Sequence, residues 1–208
     1  MSKRPDIITI ILTPSDRTEW DEADRLQGSA DIPPARAAHA HAEARTAHAA
    51  SAKPEVVLFG PDEASAGAAR SVAAAVKTKP KRVKGLADPG LGLWEGLERS
   101  VCQERYPRAY KQWLTDPGSV NPPDGEGFED AVDRIVGALV KAVEKSAKTR
   151  FVVVVRPMAR AILARWLAGQ AVSAGWPPEK ETAVAEFTIA RGALRTAPLL
   201  RASAGLAR

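Results

Sequence analysis

Three runs along the chain are apolar or β-branched throughout: Ile7-Ile8-Thr9-Ile10-Ile11-Leu12, Val56-Val57-Leu58-Phe59 and Phe151-Val152-Val153-Val154-Val155. A strand with one wet face alternates polar and apolar residues; a strand covered on both faces does not, and such strands belong to parallel sheets. Between the runs the apolar period becomes helical. Phe128 to Lys145 puts Val132, Ile135, Val136, Leu139, Val140 and Val143 on one side of a helix. Ala35 to Ser51 and Glu63 to Val76 are alanine-rich with scattered charges. Ala159 to Leu167 predicts a further helix after Pro157.

Strands alternating with helices predict right-handed crossovers. The expected fold class is therefore α/β, a three-layer α/β/α sandwich on a mostly parallel central sheet. Leu93 to Leu114 reads as two short helices within an inserted helical region of about 93–127. Asp116 to Glu126 closes that region as a loop with Pro117, Gly118, Pro122, Pro123 and Gly125. Glu186 to Thr196 reads as an edge hairpin around Gly192. No internal repeat is visible, and 208 residues suit one domain over 1–208, with a basic tail at about 190–208. Ligands of open α/β sheets sit beyond the carboxyl ends of the strands. A site is thus expected at Pro14-Ser15-Asp16-Arg17, Gly60-Pro61-Asp62-Glu63 and Arg156-Pro157-Met158.

The net charge of +5 alters this picture little. Part of it lies in Lys77, Lys79, Lys81, Arg82 and Lys84, part in the tail residues Arg191, Arg195, Arg201 and Arg208. Basic patches of this kind can bind nucleic acid. Here no aromatic residue interleaves the lysines to stack bases, so a solvated loop and a solvated tail are expected instead. A basic adaptor that uses both segments on an acidic partner is the alternative. The one cysteine, Cys102, excludes an internal disulfide and fits a reducing compartment. The first apolar run stops at Leu12, too short to span a membrane and without a signal-peptide pattern. These features predict a cytoplasmic protein with no membrane association.

Six short segments, in order, carry a resemblance. Thr18-Glu19-Trp20-Asp21 is followed by Arg25-Leu26-Gln27-Gly28 with Asp31-Ile32-Pro33, then by Trp94-Glu95-Gly96-Leu97. Glu104-Arg105-Tyr106-Pro107, Pro122-Pro123-Asp124-Gly125-Glu126 and Arg160-Ala161-Ile162-Leu163 complete the series. Together they resemble the histidine phosphatase superfamily, the phosphoglycerate mutase-like proteins, from about residue 6 to about residue 190. The resemblance implies a phosphoglycerate mutase-like fold. It also implies a reaction in which a histidine attacks phosphorus, two arginines and a second histidine hold the phosphate oxygens, and a carboxylic acid protonates the leaving group. Imidazole is a good nucleophile near neutral pH. Guanidinium forks match phosphate oxygens and offset their charge.

Carried over residue by residue, the resemblance places the signature arginine at Pro14, the nucleophilic histidine at Ser15 and the signature glycine at Asp16. The second arginine falls at Ala64, the acid at Asp88 and the second histidine at Val155. Of these only Asp88 keeps a fitting side chain. Residues 1–20 and 151–158 contain no histidine, so this does not depend on the register. The reading that follows is a catalytically degenerate member, a pseudoenzyme with a binding or regulatory role. Its vestigial pocket comprises Ser15, Asp16, Arg17, Trp20, Asp21, Asp88 and Arg156. The alternative is an active phosphomonoesterase or phosphomutase with altered catalytic residues.

Replacement chemistry finds little support. Ser15 as nucleophile would need an adjacent base, and the histidines, His39, His41 and His48, all lie in the first helix region. These three lack the i, i+4 spacing of a helical metal pair and read as surface residues. Arg156 is expected in an ion pair with Asp16 or Asp88 rather than on phosphate. Asp16, Asp21 and Asp88 lack the loop spacing of a divalent metal site, so no metal and no cofactor are expected. Cys102 reads as packed, and Trp20 and Trp94 as shaping the pocket rim. The sequence names no partner; a small anionic ligand is the residual option.

Overall fold

The computed structural model describes residues 6–36, 42–172 and 184–196. β1 (Ile7–Pro14) lies between β4 (Arg150–Val155), to which it is parallel, and β5 (Ala185–Ala190), to which it is antiparallel. β2 (Val56–Phe59) runs parallel to β4 on one side and to β3 (Pro80–Arg82) on the other. The sheet order is β3-β2-β4-β1-β5.

Alternate residues of each strand enter different layers, as the pleat requires. Ile8, Ile10, Leu12, Leu58, Phe151, Val153 and Val155 meet α6 (Phe128–Glu144) and α7 (Pro157–Leu167) through Ile135, Leu139 and Ile162. Ile11, Val57, Val152 and Val154 meet α3 (Glu63–Ala75) through Ala68, Ala69 and Val72, with Ala49 of α2 (Ala42–Ser51) beside them. The result is the expected three-layer α/β/α sandwich on a mostly parallel sheet. α4 (Arg99–Arg105) and α5 (Pro107–Thr115) form the inserted region and bury Cys102, Tyr110 and Trp113 against Trp94 and Leu26.

Several local expectations need correction. Residues 80–82 form the edge strand β3 instead of a solvated loop. Pro80 is tolerated because it is the first residue of an edge strand. The region 186–196 is no hairpin: after β5 the chain turns at Arg191-Gly192 into the short helix α8 (Ala193–Thr196), which buries Leu194 in the core. Arg191 is not a solvated tail residue. Its guanidinium donates to the carbonyls of Val143, Ser146 and Lys148 and so caps the end of α6. The first long helix does not begin at Ala35: the Ala35 N–H donates to the Arg17 carbonyl, and Pro34 bridges to Thr18. The rest of the basic tail, 197–208, lies outside the described residues.

The inserted region leaves and rejoins the body at one place. Leu93 N–H donates to Pro123 O and Glu126 N–H to Gly90 O, each at 2.9 Å. Gly92 has φ +52°, and a Cβ there would lie 2.1 Å from Pro123 O, so only glycine fits. Arg134 of α6 fastens the junction, pairing with Glu126 and donating to the carbonyls of Gly85 and Ala87. Arg134→Met should leave these acceptors unpaired. Its expected effect, about 1–3 kcal/mol, corresponds to roughly 2–12 °C in Tm for a chain of this size. A melting curve unchanged from wild type would show that water replaces the guanidinium without loss.

Candidate functional site

The carboxyl ends of β1 and β4 bring the singled-out positions together. Pro14 is opposite Val155 in the register, and the Ser15 N–H donates to Val155 O at 3.1 Å. The Asp16 N–H donates to the carbonyl of Ala64, the second residue of α3, at 3.2 Å. Val155 and Ala64 are fully buried and offer no polar side chain. The buried Ser15 hydroxyl donates to the neighbouring Asp16 carbonyl at 3.1 Å.

Two cations at this end, Arg156 and Arg45, are held by carboxylates. Arg156, 4% exposed, follows β4 and forms a fork on Asp21, with Nη1 to Oδ2 at 2.9 Å and Nη2 to Oδ1 at 3.1 Å. Nη2 also donates to Gln27 Oε1 at 2.5 Å. The partner is thus Asp21, and neither Asp16 nor Asp88 as expected. The reason is local: Thr18 and Asp21 form a capping box on α1 (Glu19–Glu22), and the Thr18 N–H donates to Asp21 Oδ2 at 2.7 Å. That box turns the Asp21 carboxylate toward Arg156. Burial opposes the Asp21 charge, but the Arg156 fork and the Thr18 donors outweigh it and hold its pKa below the ordinary value. Asp16 is paired instead with Arg45 of α2, Nη2 to Oδ1 at 2.5 Å, while Arg45 Nη1 donates to Ser15 O at 3.1 Å. Arg17 is exposed and donates to the Asp21 carbonyl.

The helix N-termini here are likewise occupied. Asp88, 4% exposed, accepts from the N–H groups of Ala159 at 2.7 Å and Met158 at 3.3 Å in the first turn of α7. Asp62 caps α3 by accepting from Ser65 N–H at 2.8 Å, and Asp31 accepts from Glu63 N–H at 2.8 Å. Burial pushes the Asp88 carboxyl up to about 7, against the opposing pull of Arg156 and the Ala159 N–H and with the Asp62 charge adding to the rise. Two residues central to this arrangement, Arg45 and Gln27, were not singled out as site residues. Gln27 lies in a segment that carried the resemblance. For Arg45, nothing in the spacing of an alanine-rich helix shows which side faces the pocket.

Trp94 does not shape the rim. It is 0% exposed, with ring centroids 5.7–6.1 Å from those of Tyr106, Tyr110 and Trp113. Its place in the inserted region's core explains this. Trp20 is half-buried and packs on Gly96, where a Cβ would lie 3.1 Å from its ring. Cys102 is buried, and burial pushes its thiol up to about 11. His48 is exposed on α2; His39 and His41 lie outside the described residues. Among the described residues no cluster of three or more His, Cys, Asp or Glu could hold a metal ion, and no helix is long and apolar enough to cross a membrane.

Comparisons with known proteins bear on the fold and the family. The Bifunctional protein Rv2228c of Mycobacterium tuberculosis is 40% identical over 50 residues, or 24% of this chain; the match spans only 14% of that relative's length. Phosphoserine phosphatase 1 of Hydrogenobacter thermophilus is 23% identical over 149 residues, 72% of this chain and 70% of that protein. Among solved structures, Bacillus stearothermophilus YhfR superposes with a TM-score of 0.77 at 20% identity, covering 86% of this chain and 89% of its own. The mycobacterial glucosyl-3-phosphoglycerate phosphatase Rv2419c superposes with a TM-score of 0.70 at 18% identity, covering 80% and 82%. At these identities the structural likenesses speak for the fold. Residues 17–197, most of the chain, match the family model of the histidine phosphatase superfamily (branch 1), and the chain belongs to that superfamily.

Proposed function

We propose that this chain is a catalytically degenerate histidine phosphatase, a pseudoenzyme whose scaffold serves binding or regulation. One observation carries the reading: Arg156, Arg45 and the N–H groups at the start of α7 are already bonded to the chain's own carboxylates, while the exposed Arg17 rests on a backbone carbonyl. Asp21 takes Arg156, Asp16 takes Arg45, and Asp88 takes the N–H groups at the start of α7. Pro14 and Pro157 supply no N–H at all. An incoming dianion would have to displace buried carboxylates from partners that satisfy them. Ser15 and Val155 stand where the resemblance puts the histidines, and removing a nucleophile typically lowers kcat by about six orders of magnitude.

The competing reading is an active phosphomonoesterase. The names of Phosphoserine phosphatase 1 and glucosyl-3-phosphoglycerate phosphatase favour it. So does Asp88, at the acid position of the resemblance with its carboxyl raised to about 7, a value suited to proton donation. An aryl-phosphate assay separates the two. We expect no turnover above a mock purification and no thermal stabilisation by phosphate or vanadate. Turnover that Ser15→Ala or Asp88→Asn abolishes would establish the active enzyme. Turnover indifferent to both changes would mark a contaminant. Vanadate stabilisation without turnover would show that the pocket still takes anions.

A further inference from the structure

The sheet edge formed by β3 carries a feature that the pocket does not explain. A cleft of about 520 Å³ runs between β3, the turn after it, and α6. Lys81 and Arg82 line it from the strand, Lys141 and Lys145 from the helix; of the two strand residues Lys81, in register with Leu58, puts its side chain on the α6 face, and Arg82, in register with Phe59, on the α3 face. All four are exposed, and none has an ion pair or side-chain hydrogen bond among the described residues. Asp133 is the one carboxylate in the lining. Arg134, also there, is held by Glu126 and by backbone carbonyls. The floor is small: Gly137, where a Cβ would meet nothing within 4 Å, and Ala138, packed against Gly85.

Ordinary structural needs account for half of this. A lysine or arginine on an edge strand guards it against unwanted pairing, which covers Lys81 and Arg82. It does not cover Lys141 and Lys145. They are four residues apart on one helix face, a like-charge spacing that is mildly unfavourable by itself. The end of α6 favours cations somewhere in its last turn, but it does not require them to converge with Lys81 of β3.

The strand backbone supplies a second observation. The Val83 N–H donates to Phe59 O, so Lys81 and Val83 bond inward to β2. Alternate residues of a parallel edge strand bond alternately. The Arg82 N–H and C=O therefore point away from the sheet, with no partner among the described residues. Open main-chain groups beside three cations without ion pairs, Lys81, Lys141 and Lys145, suit an extended chain that bears carboxylates. They suit nucleic acid poorly, because no aromatic ring lines the cleft to stack a base.

We infer that this cleft binds an acidic peptide segment of a partner protein, which adds as a short strand along β3 while its carboxylates, on the α6 side, meet Lys81, Lys141 and Lys145. The site shares no residue with the pocket, so the inference stands whether or not the chain turns over phosphate.

Fluorescence anisotropy tests it, with the full chain and a dye-labelled peptide of alternating Glu and Val. Saturable binding that weakens as salt rises is expected. Lys141→Glu/Lys145→Glu should weaken it about tenfold or more, whereas Lys111→Glu on α5 should not change it. Arg82→Pro, which removes the outward N–H, should weaken binding more than Arg82→Gln, which keeps it. Melting curves establish that each variant is folded, and Lys141→Ala/Lys145→Ala replaces the double reversal if that one is not. Absence of saturation, or equal binding by the α6 variants, overturns the inference. Equal effects of Arg82→Pro and Arg82→Gln overturn strand addition. Single-stranded RNA that binds more tightly and displaces the peptide overturns the peptide assignment.

Discussion

Replacing Arg156 by methionine should lower the stability of this protein by about 3–5 kcal/mol, the usual result of breaking a buried ion pair from one side. Methionine fills much the same space, so loss of packing is a minor part. What remains is the Asp21 carboxylate without its fork, Gln27 Oε1 without its donor, and Asp62 and Asp88 without the positive charge of Arg156. In a chain of this length the change corresponds to a fall in Tm of roughly 6–20 °C. The double variant Asp21→Asn/Arg156→Met should lose less than the sum of its single changes, because each removes a charge the other would strand. Urea titrations of the four proteins give the answer. A loss for Arg156→Met below about 1 kcal/mol, the range of an exposed pair, would mean that the carboxylates around it are already protonated or hydrated.

Asp88 should make the protein less stable as the pH rises from about 5 to 7. In the unfolded chain its carboxyl titrates near 3.8; in the fold, burial lifts it to about 7. Between those values the folded protein keeps a proton that the unfolded chain has released, so raising the pH favours unfolding. At about 1.4 kcal/mol per pKa unit, roughly 2 kcal/mol should be lost between pH 5 and pH 7, with a plateau above. Carboxylates whose pKa is lowered act in the opposite direction and below this window: Asp21, Glu126 and Glu55, the last near 2, lose their contribution only as the pH falls through the acid range. Asp88→Asn keeps the shape and removes the titration, so its stability should be level across the same interval. Urea midpoints at pH 5 and pH 7.5 provide the measurement. A wild-type midpoint that holds or rises would show that Arg156 and the Ala159 N–H prevail over burial and keep Asp88 ionised.

How far the sequence anticipated all this differed from element to element. β1, β2 and β4 declared themselves because helices cover them on both sides, which leaves no polar position to blur the pattern. β3 is hidden by composition: Pro80, Lys81 and Arg82 look like a loop, and their pairing with Val57, Leu58 and Phe59 of β2 makes them a strand. β5 was found, but the chain beyond it was misjudged. Gly192 suggested a hairpin, whereas the need to bury Leu194 turns the backbone helical. At the site, short-range features were legible. Asp21 sits in a capping box that four consecutive letters spell out. Long-range pairing was not. Nothing near Asp16 announces Arg45, 29 positions away, and nothing near Arg156 announces Asp21, 135 positions away. The turn beside Trp94 carries the resemblance and suggests a place at the rim, but the ring packs into the inserted region.

The junction at Gly90–Leu93 and Pro123–Glu126 has an evolutionary corollary. A segment whose two feet stand on the same stone is a loop in the topological sense, however much helix it contains. Residues can be added to its far end, or taken away, at the modest entropic penalty of a longer closed ring, and the strands need not register the change. Natural selection can thus redecorate one side of this molecule while the sheet beneath stays as it was.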